Sequence, residues 1–145
     1  CTYEVEQVIL AIVVTTGIAS IFLTKDYTPD YNSGLAHAIF YALTSYPVIE
    51  KNHLHGEIVG FGVLLALLVD GQDEEFEKIY LLNKSISLPV SLDEIEISKE
   101  QWEESTDRIP DMSDVAHYPY KVTKEMLKNA MARLEEKVRK DNHVR

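Results

Sequence analysis

The sequence has 145 residues, the length of one ordinary domain, and 46% of them are apolar, too many for a disordered chain. Its 24 acidic residues against 14 basic ones give a formal charge of −10. This charge excludes a general nucleic-acid binder, because phosphate contacts need Lys and Arg. Cys1 is the only cysteine, so no intrachain disulfide can form. Nothing points to an oxidising compartment, and we expect the cytoplasm.

The first predicted element is a helix from Glu4 to about Leu23. From Val8 onward every residue in it is apolar, Thr, Ser or Gly. The apolar run falls short of a bilayer span, and the polar and small residues at 15–17 and 20 weaken that interpretation further. No basic segment precedes the run, so we expect no signal peptide. The sequence therefore predicts a helix buried on all sides inside a bundle, with no membrane partner.

Two more helices follow a polar loop over residues 25–33. Apolar residues recur at helical spacing from Gly34 to Ser45, and Pro47 marks a stop. Residues 48–54 form a connector of mixed charge. A third apolar helix then runs from Gly56 to Val69, where small residues at 56, 60 and 62 favour close helix packing. The glycine pattern is not a dinucleotide fingerprint, because the strand before it is missing.

The second half of the chain is amphipathic. Residues 73–83 predict a helix with an apolar stripe formed by Phe76, Ile79, Tyr80 and Leu82. Capping boxes at 91–94 and 98–101 predict two short helical starts. Thr123 is expected to cap a last helix, followed by a frayed charged tail from 133 to 145. No strand pattern is convincing, and the fold class is an all-α helical bundle.

Two of the five histidines are candidate metal ligands. His37 lies on the apolar second helix, where a lone histidine is more often a hydrogen-bonded core residue. His53 and His55 point to opposite sides if their connector is extended. Because Gly56 lets the backbone turn beside His55, His55 is favoured as the functional one.

Two histidines alone make a weak metal site, since catalytic zinc usually has three protein ligands. Glu57 follows His55 too closely to be the third, so a carboxylate is missing. His117 is a candidate substrate-side group, although a surface loop histidine is the more common explanation. His143 is expected in the frayed tail and has no assigned role.

The residues NSGLAHAI at 32–39 and HGEIVGFG at 55–62 resemble two motifs of one enzyme family. The pattern is similar to "GGLAxAHAI" and "HGExVAFG" in the C-terminal helical domain of glycerol dehydrogenases. These belong to the iron-containing alcohol dehydrogenase family, whose superfamily includes dehydroquinate synthase. LPVSL at 88–92 and YPYKVT at 118–123 resemble the family's later "GLPVTL" and "MPFxVT" segments. The likeness covers nearly the whole chain.

The resemblance implies a dehydroquinate synthase-like C-terminal helical domain that binds a divalent metal, zinc or iron. By position, His37 and His55 are the metal ligands. The family's third ligand, an aspartate, lies ahead of the matched region and has no counterpart here. We therefore expect residues 1–145 to be a C-terminal metal-binding domain, inactive alone. Its start at Cys1 rather than Met agrees with the loss of an N-terminal α/β domain that binds NAD.

In the full-length enzyme the expected reaction is metal-assisted hydride transfer from a small polyol or alcohol to NAD, in a homo-oligomer. Phe40 stands where the family often has a second histidine, and the loop before His37 is longer, so the substrate can differ from glycerol. Two alternatives remain. One is a truncated, non-catalytic helical module; the other is a dehydroquinate synthase-like lyase domain, for which Lys51 is the only nearby basic candidate.

Overall fold

The computed structural model describes residues 2–23 and 33–143. Within these residues it contains seven α-helices and no strand, which confirms the all-α helical bundle. The helices are α1 (Tyr3–Leu23), α2 (Leu35–Leu43), α3 (Pro47–Asn52), α4 (His55–Val69), α5 (Asp73–Ser85), α6 (Lys99–Arg108) and α7 (Lys124–His143). Single 3-10 turns lie at Asp93–Ile95, Ile109–Asp111 and Ser113–Val115. Cys1 and most of the predicted loop at 25–33 lie outside the described residues.

The core is centred on α4, which packs against α2 on one side and against α5 and α7 on others. The inner face of α2 buries its apolar residues almost completely, as the helical spacing predicts. α2 and α4 together form the centre of the core with fully buried side chains. These central residues are Leu35, Ala38, Ile39, Ala42 and Leu43 of α2 and Ile58, Phe61, Leu64 and Leu65 of α4.

Two of the predicted helix starts are confirmed by their cap hydrogen bonds. The Ser98 hydroxyl accepts from the Gln101 backbone N–H at 3.2 Å, and the Gln101 side chain accepts from the Ser98 N–H at 2.8 Å. Thr123 accepts from the Met126 N–H at 3.3 Å and begins α7. At Ser91 the same sequence pattern produces only a 3-10 turn, because the Glu94 carboxylate bonds Val90 rather than Ser91.

Three local predictions are wrong. Most of the predicted connector at 48–54 is instead the short helix α3, which begins at Pro47 because the fixed φ of proline suits the first helical position. Leu82 is half exposed, whereas Phe76, Ile79 and Tyr80 of the predicted stripe pack in or against the core.

The charged tail is also not frayed where it is described, because α7 continues to His143. Ion pairs join it to α5: Lys84 to Asp141 at 3.1 Å and Lys137 to Glu77 at 2.8 Å. Residues 144 and 145 lie outside the described part.

The prediction that the first helix is buried on all sides is wrong in this structure. The expectation that its apolar run is too short for a bilayer span is also wrong, because Tyr3–Phe22 is long and apolar enough to cross one, and none of that span is buried. Only Gly17 and Ser20 of this span are half-buried. A uniformly apolar sequence indicates that a helix prefers apolar surroundings, but not which molecule provides them.

Candidate metal centre

The two histidines named from the sequence lie side by side. His37 stands on the half-buried edge of α2, and His55 is the first residue of α4. Their ring centroids are 5.6 Å apart and their planes meet at 44°. Packing of α2 on α4 therefore brings together two imidazoles that are distant in the sequence.

A close contact between the two helices fixes this arrangement. A Cβ atom at Gly62 would lie 2.7 Å from the backbone oxygen of Ala36 and 2.9 Å from its Cα. Only glycine lets α4 approach the backbone directly beside His37. The predicted close packing is confirmed at Gly62, whereas Gly60 has ordinary contacts and Gly56 faces open space.

Two aromatic rings lie beside the pair, in which His37 is half-buried and His55 is exposed. The Phe40 ring stands edge-on to His55, with centroids 4.4 Å apart. Tyr41 lies 6.4 Å from His37 and is exposed. Phe40, which replaces the histidine often found in the resembling family, thus supports the His55 ring.

The electrostatic surroundings favour a neutral His37. Burial lowers the pKa of His37, and the neighbouring His55 lowers it further. Asp114 acts in the opposite direction. Since a metal binds neutral imidazole, the lowered pKa leaves His37 in its ligating form at neutral pH.

Asp114 is a residue that sequence reasoning missed. It lies in the 3-10 turn Ser113–Val115, which packs against α2. No motif marks it, because the turn reaches the histidine only through tertiary packing. Its carboxylate is the one negative group whose field on His37 is resolved in the described structure.

The spacing of the two rings can be compared with that of imidazoles that share one metal ion. Two imidazoles that share a tetrahedral zinc, with nitrogens about 2.0–2.1 Å from the metal, have ring centres about 5 Å apart. The observed 5.6 Å is close to this spacing. Within residues 2–23 and 33–143, no third His, Cys, Asp or Glu joins the pair at ligand distance.

His53 turns away from this pair, as predicted for an extended connector. Residues 53 and 54 have extended backbones. The His53 ring lies between two carboxylates, with Nδ1 3.5 Å from Glu57 and Nε2 3.5 Å from Glu96. Glu57 also accepts from the Leu54 N–H at 2.9 Å, so it caps α4.

His117 is exposed in the turn that follows Ser113–Val115. Its substrate-side role stays a prediction. His143 ends α7, where its Nδ1 lies 2.7 Å from the Arg139 carbonyl oxygen.

A groove of about 520 Å³ lies elsewhere, between the 90–99 segment and α7. None of its lining residues belongs to α2 or α4, so it is separate from the histidine pair.

Comparison of the sequence with protein-family models and with curated proteins finds no match. The functional interpretation therefore depends on the residues and their geometry.

Proposed function

We propose that this chain is the metal-binding helical part of an NAD-dependent alcohol or polyol dehydrogenase. The observation that carries the proposal is the His37–His55 pair, with ring centroids 5.6 Å apart. Both residues occupy the motif positions at which the resembling family binds its metal. The arrangement supports two of the three protein ligands that catalytic sites usually need.

Each residue has a distinct part in this site. His37 and His55 would each donate one ring-nitrogen lone pair. Gly62 holds their helices together, and Phe40 restrains the His55 ring by its edge-on contact. A bound divalent metal would supply Lewis-acid activation of the substrate hydroxyl. NAD, the hydride acceptor, would be bound by a separate α/β domain.

Titration of the chain with Co²⁺, followed by the visible absorption of the ion, tests this proposal. We expect one weak site per chain whose affinity falls at acid pH, because protonated imidazole cannot ligate. His37→Gln and His55→Gln should each weaken binding at least about tenfold. His143→Gln is the matched control, since His143 is an exposed histidine outside the pair.

Helical circular dichroism and the fluorescence of Trp102, the single tryptophan, report folding in every variant. Trp102 is buried in the core, so its emission responds to loss of packing. Folded His37 and His55 variants that bind Co²⁺ as the parent does would refute the site.

A further inference from the structure

Asp114 lies on a short segment that several contacts hold in place. The turn Ser113–Val115 packs against α2, and Val115 is buried in the core. Backbone hydrogen bonds continue the turn beyond it, including one from the Tyr118 N–H to the Val115 carbonyl at 3.1 Å. Both local and tertiary contacts therefore fix the backbone that carries Asp114.

The same segment meets α2 at the end that carries His37. The Tyr118 ring lies 3.9 Å from the position that a Cβ atom at Gly34 would occupy. Gly34 directly precedes α2, and its carbonyl accepts from the His37 N–H at 2.9 Å. Gly34 and His37 thus belong to one helical turn. The residues from 113 to 118 therefore pack beside the turn from which the His37 imidazole projects.

The Asp114 carboxylate has no competing partner where the structure is described. Asp114 is half-buried, and it takes part in no hydrogen bond or ion pair with another described residue. Its negative charge acts on His37, where it opposes the lowering of the pKa by burial. A half-buried carboxylate without a hydrogen bond costs free energy, which a positive charge on the neighbouring imidazole or on its metal would offset.

A metal ion at the histidine pair would place such a charge beside the carboxylate. Two neutral imidazoles bring no negative charge to a divalent cation. A metal-ligating histidine usually has its other ring N–H bound to a carboxylate, a backbone carbonyl or water, which orients the ring and raises its basicity. Within residues 2–23 and 33–143 no carboxylate lies at ligand distance from the pair, so Asp114 would act through His37 rather than on the metal.

We propose that Asp114 is a positioning residue of the metal site, whose carboxylate stabilises the His37 imidazole as a ligand and so raises the affinity for a divalent cation. This inference rests on the proposed function, because it needs a metal at the His37–His55 pair. Loss of a carboxylate in this role typically weakens metal binding about 10–100-fold.

Titration of Asp114→Asn with Co²⁺ tests the role. We expect the dissociation constant to rise about 10–100-fold. The visible absorption of each bound ion should keep its bands and intensity, because the ligands themselves are unchanged. Asp114→Glu keeps the negative charge and should bind more tightly than Asp114→Asn. Asp111→Asn is the matched control: it removes the same charge from an exposed residue of the preceding 3-10 turn, and it should bind as the parent does.

The outcomes separate this inference from the proposed function. A parent chain that binds no Co²⁺ would overturn both. Binding that depends on His37 and His55 but is unchanged in Asp114→Asn would overturn only the role of Asp114, as would equal losses in Asp114→Asn and Asp111→Asn. A weaker absorption for each ion bound to Asp114→Asn would make Asp114 a direct ligand, contrary to the positioning role. Trp102 emission confirms that each variant is folded, and Asp114→Ser is a second neutral variant.

Discussion

Gly62 is the residue at which the two histidine-bearing helices come closest. Replacing it with alanine places a Cβ atom against backbone atoms of Ala36, which cannot rotate away. The helices must then separate, and we expect Gly62→Ala to destabilise the bundle by about 1–3 kcal/mol. Urea unfolding followed by Trp102 emission measures the loss. Because Ala36 precedes His37, the same change should weaken Co²⁺ binding.

Gly56→Ala is the matched control for Gly62. It adds the same methyl group to the same helix, but nothing lies within 4 Å of the added atom. We expect it to be neutral or to stabilise by up to about 1 kcal/mol, since alanine is the better helix former. Equal stabilities of the two variants would contradict the close-contact explanation.

At the scale of elements, the start of α6 depends on its capping box. Ser98→Ala removes the acceptor of the Gln101 N–H, and we expect a loss of about 1 kcal/mol in the free energy of unfolding. Ser91→Ala should lose less, because the Ser91 hydroxyl accepts only one longer bond, 3.3 Å from Glu94, at a single 3-10 turn. Thermal unfolding of both variants measures the difference, and the reverse order would show that the box at Ser98 is not what holds α6.

The same elements show which information is local. Caps and apolar periodicity are properties of a few neighbouring residues, so α2, α4 and α5 could be predicted with nearly their observed bounds, and α6 by its start at Ser98. The continuation of α7 depends on ion pairs to α5, such as Lys137 with Glu77, which no local pattern reveals. The exposure of α1 depends on what surrounds the helix, which its own sequence does not specify.

At the scale of the whole molecule, the candidate site was partly predictable. The motifs name His37 and His55, and folding brings them together. Asp114 reaches His37 only because the Ser113–Val115 turn packs on α2, so local sequence could not identify it. The effect of Asp114 on His37 thus depends on tertiary packing between residues that are far apart in the chain.

Stability at alkaline pH is a property of the whole bundle that Tyr80 should control. Its side chain is fully buried, and the ammonium groups of Lys84 and Lys137 lie 5.4 and 5.3 Å from its ring centroid. Burial, reinforced by the Asp141 carboxylate, raises the pKa of Tyr80 well above its usual value. The folded state thus favours the neutral phenol more than the unfolded state does.

The sign of the pH dependence follows from that difference. The contribution of Tyr80 is fully present below the ordinary tyrosine pKa of about 10 and is lost as the pH rises further, towards the raised pKa of the folded state. The pKa of Lys137 is raised by its bond to Glu77, so its contribution to stability is also lost as the pH rises.

Tyr80→Phe removes the contribution of the tyrosine and leaves that of Lys137. The stability of the variant relative to the parent should therefore increase above about pH 10. Urea unfolding at neutral and alkaline pH measures the change, with Tyr3→Phe on exposed α1 as the control. Parallel stability profiles for the parent and Tyr80→Phe would show that the buried phenol does not ionise on unfolding in this range.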